Sequence, residues 1–417
     1  MLMLGMHSSN WATKIVMHGY GSTVMHLSSQ NRILKAANLI EEGRWGGPQK
    51  RITLVATALN DHAIETTVLL PWRDSERFRQ ALDSAGVAWK ALPLHRLGRD
   101  WYTLLSYGLT FVLDIYHLWR ELRTGGYDLI HVSGGAWQIK GPIAGRLAGV
   151  PVIWHLNDTQ MPRALVTQFK YLGRLADGFF IAANRVKKYY IDGTALEKVP
   201  AYSIPAPVVT RDYSYQAANV DNSICSKNFP RIVTVSNISP IKGLQTLIEA
   251  SALLKGRLEN FSVSIVGVLH SNQKKYFSEL TELCKKYGLD NNILFEGERQ
   301  HVQGVLKCAD IYVCCSVAEA SPMAVWEAMS MGCAIVSTDV GDVAEYIQNG
   351  VNGFVVPVGD AQAMADTILK LAGDEALRLD FGKKAREVAC RELDLSVIAE
   401  RTAKGYRAVC AAHHQVI

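Results

Sequence analysis

Short apolar runs alternate with helix-period stretches along nearly the whole chain, in two separate series. In the first, RILKAANLI (32–40), ETTVLLP (65–71), DLIHVS (128–133), VPVIWHL (150–156) and GFFIAA (178–183) read as strands. QKRITLVATAL after Gly47 and SERFRQALDSAG after Asp74 carry helical spacing between them. In the second, the strands are RIVTVSN (231–237), FSVSIVG (261–267), NILFEG (292–297), IYVCCS (311–316), AIVSTD (334–339) and GFVVP (353–357). Strands separated by helices cross over rather than form hairpins, so they lie parallel with both faces covered. The fold class is therefore α/β, with two Rossmann-like, doubly wound parallel sheets facing a cleft. The stretch Pro200–Pro230, with Pro205, Pro207 and the polar run YQAANVDNSICSKN, interrupts the pattern. The expected organisation is an extension of unclear role (1–30), a first domain (31–204), a linker (205–230) and a second domain (231–385). A helical tail (386–417) is expected to cross back to the first domain. A chain of 417 residues is in any case long for a single core.

Other signals exclude more than they assert. KIVMHGYGST (14–23) holds half of a G-x-G-x-x-G, but Val24 stands where the third glycine belongs. No acidic residue follows at the spacing a dinucleotide site needs, so that reading is set aside. The N-terminus lacks the basic start and long apolar run of a secretory signal. The most membrane-like stretch, WYTLLSYGLTFVLDIYHLW (101–119), contains Asp114 and His117. It falls short of the roughly 20 apolar residues a spanning helix needs, and is expected to be a helix packed on a sheet. All 8 cysteines lie from Cys225 onward, none in C-x-x-C spacing, and most in apolar runs. They read as small buried hydrophobes in a reducing, cytoplasmic setting. Through Thr210 there are 23 Lys+Arg against 15 Asp+Glu, and after it 21 against 24. The basic half suits an anionic partner, such as a phosphorylated acceptor or the anionic face of a membrane. With no aromatic-basic motif beside it, nucleic acid is not expected as a partner.

Three strand-to-helix loops carry the chemistry, since ligands of doubly wound sheets bind beyond the carboxyl ends of the strands. In EEGRWGGPQK (41–50), Gly46-Gly47 leaves room for a ligand against the backbone, and Pro48 suits the start of a helix. In SNISPIKG (236–243), Lys242-Gly243 precedes the helix LQTLIEASALL. A cation disfavours that end of the helix dipole, so an anion between the lysine and the free amides is expected. In AEASPMAVWEAMSMG (318–332), Ser321-Pro322 reads as cap and first helical position, and Gly332 as the stop. Glu327 is the one charge of that helix and needs hydrogen-bonding partners, for which ribose hydroxyls would serve. Glu319 lies eight residues earlier, giving E-x7-E.

These motifs, with WHLND (154–158) and STDVGDVAEYIQNGVNGFVVP (337–357), resemble retaining glycosyltransferase family 4, on the GT-B fold, over about residues 31–410. The resemblance implies transfer of a sugar from a nucleotide diphosphate sugar to a hydroxyl, with retention and no required metal or other cofactor. It implies that Lys242 neutralises the diphosphate, that Glu319 holds sugar hydroxyls and that Glu327 binds the ribose. It places Ser321, Pro322 and Met323 against the sugar and phosphate through their backbone. Arg299 falls near the base, His155 near the sugar and the acceptor, and Gly243 among the donor-binding residues. Where the family carries an arginine as second diphosphate cation, this chain has Asn237, which weakens that charge or requires another residue to supply it. Such a protein would act at the cytoplasmic face of a membrane, on a glycan or lipid-linked acceptor, in polysaccharide, lipopolysaccharide or glycolipid synthesis. Two other readings fit the same motifs: a non-catalytic sugar-nucleotide-binding or scaffold protein, and a sugar-nucleotide epimerase.

Overall fold

The computed structural model describes residues 32–97, 101–159, 161–216, 218–219 and 228–416. The extension 1–30 and its glycine half-motif lie outside them. The first sheet is built from β1 (Leu34–Leu39), β2 (Ile64–Pro71), β3 (Ala88–Leu92), β4 (Leu129–Val132), β5 (Val152–Leu156), β6 (Gly178–Ile181) and β7 (Ala201–Ser203). Its helices are α1 (Gly47–Leu59), α2 (Glu76–Ser84), α3 (Trp101–Thr124), α4 (Lys140–Ala148), α5 (Arg163–Leu172) and α6 (Asn184–Tyr190). The strand order is β3-β2-β1-β4-β5-β6-β7, every pair parallel. Helices cover both faces, which is why every residue of β4 (LIHV) and β5 (VIWHL) is buried.

The second sheet repeats the scheme with β8 (Arg231–Val235), β9 (Ser262–Val266), β10 (Ile293–Gly297), β11 (Ile311–Cys314), β12 (Ala334–Thr338) and β13 (Phe354–Val356). Between and after them run α7 (Leu244–Lys255), α8 (Lys274–Tyr287), α9 (Val302–Lys307), α10 (Met323–Met331), α11 (Val343–Tyr346), α12 (Ala361–Gly373), α13 (Glu375–Val388) and α14 (Leu395–Val416). The order β10-β9-β8-β11-β12-β13 is that of a doubly wound nucleotide-binding sheet. In each sheet the order reverses beside the first strand, between β1 and β4 and between β8 and β11. The crevices that such reversals open are where ligands bind.

Three features differ from the sequence reading. Strands β3 and β7 were not anticipated. Both are sheet edges, and neither contains a buried residue, so neither writes an apolar run. The helix expected to lie on a sheet, α3, does so only in its second half. There Leu118 and Leu122 are buried in the first domain's core and Asp114 is paired with Lys140. Its first half buries Tyr107 but exposes Trp101, Tyr102, Leu105, Leu109 and Val112. No described helix is long and apolar enough to cross a membrane. The third difference is at α10. Pro322, with extended backbone, rather than Ser321 is its cap residue, and the Ser321 hydroxyl is engaged elsewhere.

The chain passes between the sheets twice, and the two passes are joined. Val208 N–H donates to Leu393 O (2.9 Å), and Leu395 N–H donates to Val208 O (2.9 Å). The Thr210 hydroxyl donates to Asp394 Oδ2 at 2.5 Å. After this crossing α14 packs on the first sheet. Ile398, Ala403, Tyr406 and Val409 share one apolar cluster with Ala36, Val55, Leu59 and Phe180.

Candidate active site

The loops that follow β1 and β5 in the first sheet, and β8 and β11 in the second, line one cavity of about 370 Å³. Of the residues singled out in the sequence, Gly47, His155, Lys242, Glu319, Ser321, Pro322 and Met323 line it. Gly46, Asn237, Gly243, Arg299 and Glu327 do not. Asn237 is exposed on the loop after β8. Arg299 turns back to Glu296 at 2.9 Å. Gly46 has an ordinary extended backbone, so its φ of −171° demands no glycine. A Cβ on Gly47 would meet nothing within 4 Å and would point into open space.

Lys242 and Glu319 face each other. The Lys242 ammonium donates to Glu319 Oε1, and the Ser316 hydroxyl donates to the same oxygen at 2.9 Å. Burial works to lower the Lys242 pKa, but Glu319 outweighs it and holds the ammonium above its ordinary value. The anionic partner that Lys242 meets is the carboxylate of Glu319. The loop reaches this geometry through Gly243, whose φ of +61° starts α7 from the left-handed region. A Cβ there would lie 2.0 Å from the carbonyl oxygen of Cys315, so no other residue fits between these two loops.

The Ser321 hydroxyl accepts from Ala206 N–H (2.9 Å) and Trp326 Nε1–H (3.1 Å) and donates to Asp342 (2.7 Å). It holds the loop in place, which leaves the backbone of 321–323 to face the cavity. Glu327 is almost buried in α10, and the sequence argument that it needs a partner holds. The partner is Lys50 of α1, whose Nζ lies 2.6 Å from Glu327 Oε1 across the cleft. Arg77–Glu298 and Arg185–Asp339 also bridge the two domains, each at 2.6 Å.

His155 is backed by a buried chain of groups. Ser133 Oγ donates to Asn38 Oδ1, which turns the Asn38 amide nitrogen toward His131 Nδ1. The Tyr406 hydroxyl lies 2.6 Å from the same Nδ1. Burial raises the Tyr406 pKa, so the phenol keeps its proton and can donate. With Nδ1 accepting, His131 carries its proton on Nε2 and donates to His155 Nδ1 at 3.1 Å. His155 is left with Nε2–H as a donor toward the cavity. Burial, and then the charge of Arg51, push both imidazoles well below the usual histidine range, so the donor is neutral.

Two cleft residues were missed in the sequence, Lys50 and Arg51. The signal was there. Both sit in the first turns of α1, which has no acidic residue and no side-chain cap. The dipole argument that marked Lys242 applies to them equally.

Residues 219–388 match the family model "Glycosyl transferases group 1", and residues 46–186 match "Glycosyl transferase 4-like domain". Over 156 residues the chain is 28% identical to N-acetyl-alpha-D-glucosaminyl L-malate synthase of Bacillus anthracis, covering 37% of this chain and 39% of the relative. It is 31% identical over 156 residues to the amylovoran biosynthesis glycosyltransferase AmsK of Erwinia amylovora, covering 35% and 37%. The chain thus aligns with about two fifths of the length of these curated relatives. Among solved structures, Anabaena Alr3699/HepE in complex with UDP-glucose superposes with a TM-score of 0.76 at 21% identity, over 90% of this chain and 100% of that one. With a glycosyltransferase domain model matching each half, and two doubly wound sheets around one cleft, the chain is a GT-B-fold relative of the glycosyltransferases.

Proposed function

We propose that this protein is a retaining glycosyltransferase of family 4 type. It moves a sugar from a nucleotide diphosphate sugar to a hydroxyl acceptor, in polysaccharide, lipopolysaccharide or glycolipid synthesis. The observation that carries this is the convergence of Lys242, Glu319 and His155 on one cavity at the reversal points of both sheets. The chemical difficulty is the departure of a diphosphate from a carbon that becomes oxocarbenium-like. Fixed positive charge where the leaving group develops is the main lever against it. Lys242 supplies that charge beside the start of α7. On donor binding Lys242 turns from Glu319 to the diphosphate, which frees the carboxylate to hold sugar hydroxyls. His155 Nε2–H donates to the sugar or the acceptor. Glu327 takes the ribose beside Lys50, and the backbone near Arg299 meets the base while its guanidinium stays on Glu296. The acceptor hydroxyl attacks from the face the diphosphate leaves, and a phosphate oxygen takes its proton. Donors screened by thermal shift, followed by product analysis, test this reading. Transfer to an acceptor with the anomeric configuration retained is expected. Binding without turnover, inversion, or conversion of the donor in the absence of acceptor would each refute it.

The acceptor side of this reading is a membrane surface. The exposed face of α3 runs from Trp101 and Tyr102 through Leu105, Leu109, Val112 and Tyr116, and ends at the exposed Arg120 and Arg123. Apolar residues on one helix face with cations at its end suit the boundary of an anionic bilayer. A Leu109→Glu, Val112→Glu double variant is expected to reduce sedimentation with phosphatidylglycerol vesicles by about tenfold or more, with nucleotide binding unchanged. Equal sedimentation of variant and wild type would remove α3 from the membrane reading.

A further inference from the structure

Among the described residues of the cleft, Arg51 is a strong cation that the mechanism above leaves idle. It lines the same cavity as His155 and Lys242. Its Nε and Nη2 are buried and meet no hydrogen-bond partner. Lys242 has Glu319 and Lys50 has Glu327, but no described carboxylate pairs with Arg51. Among the described groups, Tyr406, His131 and His155 act on it electrostatically, and none of them is an acidic counter-charge at neutral pH. Burial accordingly pushes its pKa down to about 10. A guanidinium held this way costs stability, and an oxyanion in the cavity is the partner it lacks.

Its place in the cleft narrows the anion. Arg51 sits on the first domain, in electrostatic contact with His155, whereas Lys242 sits on the second domain at the start of α7. The diphosphate belongs to Lys242, so the sugar lies toward His155 and Arg51. A neutral hexose would offer hydroxyls there and leave the charge unbalanced. Building on the proposed transferase function, we infer that Arg51 binds a carboxylate or phosphate at the sugar end of the cleft. The substrate class is then an acidic sugar, as a uronic acid donor or as an acceptor that bears the anion next to its reacting hydroxyl.

The experiment compares wild type, Arg51→Met and Arg51→Lys by calorimetry with UDP, UDP-glucose and UDP-glucuronic acid. Glucuronate and glucose 1-phosphate are then titrated into the UDP-loaded proteins. If the anion is on the donor, wild type binds UDP-glucuronic acid about tenfold or more tightly than UDP-glucose. Arg51→Met loses that preference and keeps its affinity for UDP. If the anion is on the acceptor, the two donors bind alike, and glucuronate or glucose 1-phosphate binds the UDP-loaded wild type but not Arg51→Met. Arg51→Lys recovers part of either effect. The ligand-free Arg51→Met protein is expected to melt at the wild-type temperature or above, since a half-buried charge without a carboxylate partner has been removed. A merely structural arginine would instead lower it. UDP affinity that falls as much as that of the sugar nucleotides would move Arg51 to the diphosphate and overturn the inference. Indifference of every ligand to Arg51 would overturn it too. Each of those outcomes leaves the transferase reading intact, whereas a wild type that binds none of UDP, GDP and ADP removes both.

Discussion

Lys242→Ala is expected to lower kcat by about 10²–10³-fold, the scale seen when one fixed group that stabilises developing negative charge is removed. Two features of the site place the effect at the upper end. Asn237 is neutral and exposed, and it does not line the cavity, so it supplies no replacement charge. Glu319 loses its counter-ion in the variant, and a bare carboxylate then faces the diphosphate and repels it. KM for the donor should rise as well, since the ground state carries the same charge. The Lys242 side chain is 26% exposed and its neighbours are loops, so the fold should survive with a melting temperature close to wild type. Steady-state kinetics on Lys242→Ala, Lys242→Arg and Lys242→Ala/Glu319→Gln check the argument. The arginine variant should recover part of the rate. The double variant should bind the donor better than Lys242→Ala alone, because the repelling carboxylate is gone. Full turnover in Lys242→Ala would remove Lys242 from the chemistry.

Gly243→Ala should be strongly destabilising for a single added methyl. The left-handed conformation costs an alanine about 1–2 kcal/mol. The added carbon would also stand 2.0 Å from Cys315 O, a backbone atom that cannot rotate away. The loop after β8 and the loop after β11 must separate, and these carry Lys242 and Glu319. A total loss of about 2–4 kcal/mol is expected, together with reduced activity, measured by denaturant melts and donor turnover. Gly256→Ala is the matched control. Its φ is −86° and its Cβ would meet nothing within 4 Å, so it should change stability by no more than about 0.5 kcal/mol. Equal stability of the two variants would mean that the two loops do not approach as described.

The contrast between what the residues announce and what they conceal has a physical origin. The central strands are legible because a parallel strand covered on both faces must be apolar throughout, as in VIWHL and AIVST. AWKAL at the edge needs no such run and passes unnoticed. Lys242 stood out because a cation at a helix start requires an explanation, but its partner lies 77 residues away and no local pattern connects them. Glu327 is similar, with its requirement visible on α10 and its answer, Lys50, 277 residues away on the other domain. Arg299 follows the expected strand, yet a carboxylate three residues back draws its side chain out of the cavity. Pairings across folds are set by topology, and the sequence states only which groups need a partner.

The joined crossing at Val208 and Leu393–Leu395 has a mechanical consequence. A single covalent strut between two bodies permits twist, swing and shear alike. Two struts pinned side by side, here by two backbone hydrogen bonds and the Thr210–Asp394 contact, act as the knuckle of a door hinge. Swing is retained while twist is resisted, because the pins would have to break. The bridges from Lys50, Arg77 and Arg185 stand on the facing edges of the door, where they oppose opening and leave the axis untouched. If the cleft opens and closes, this pinning would bring Lys242 and His155 together along one arc.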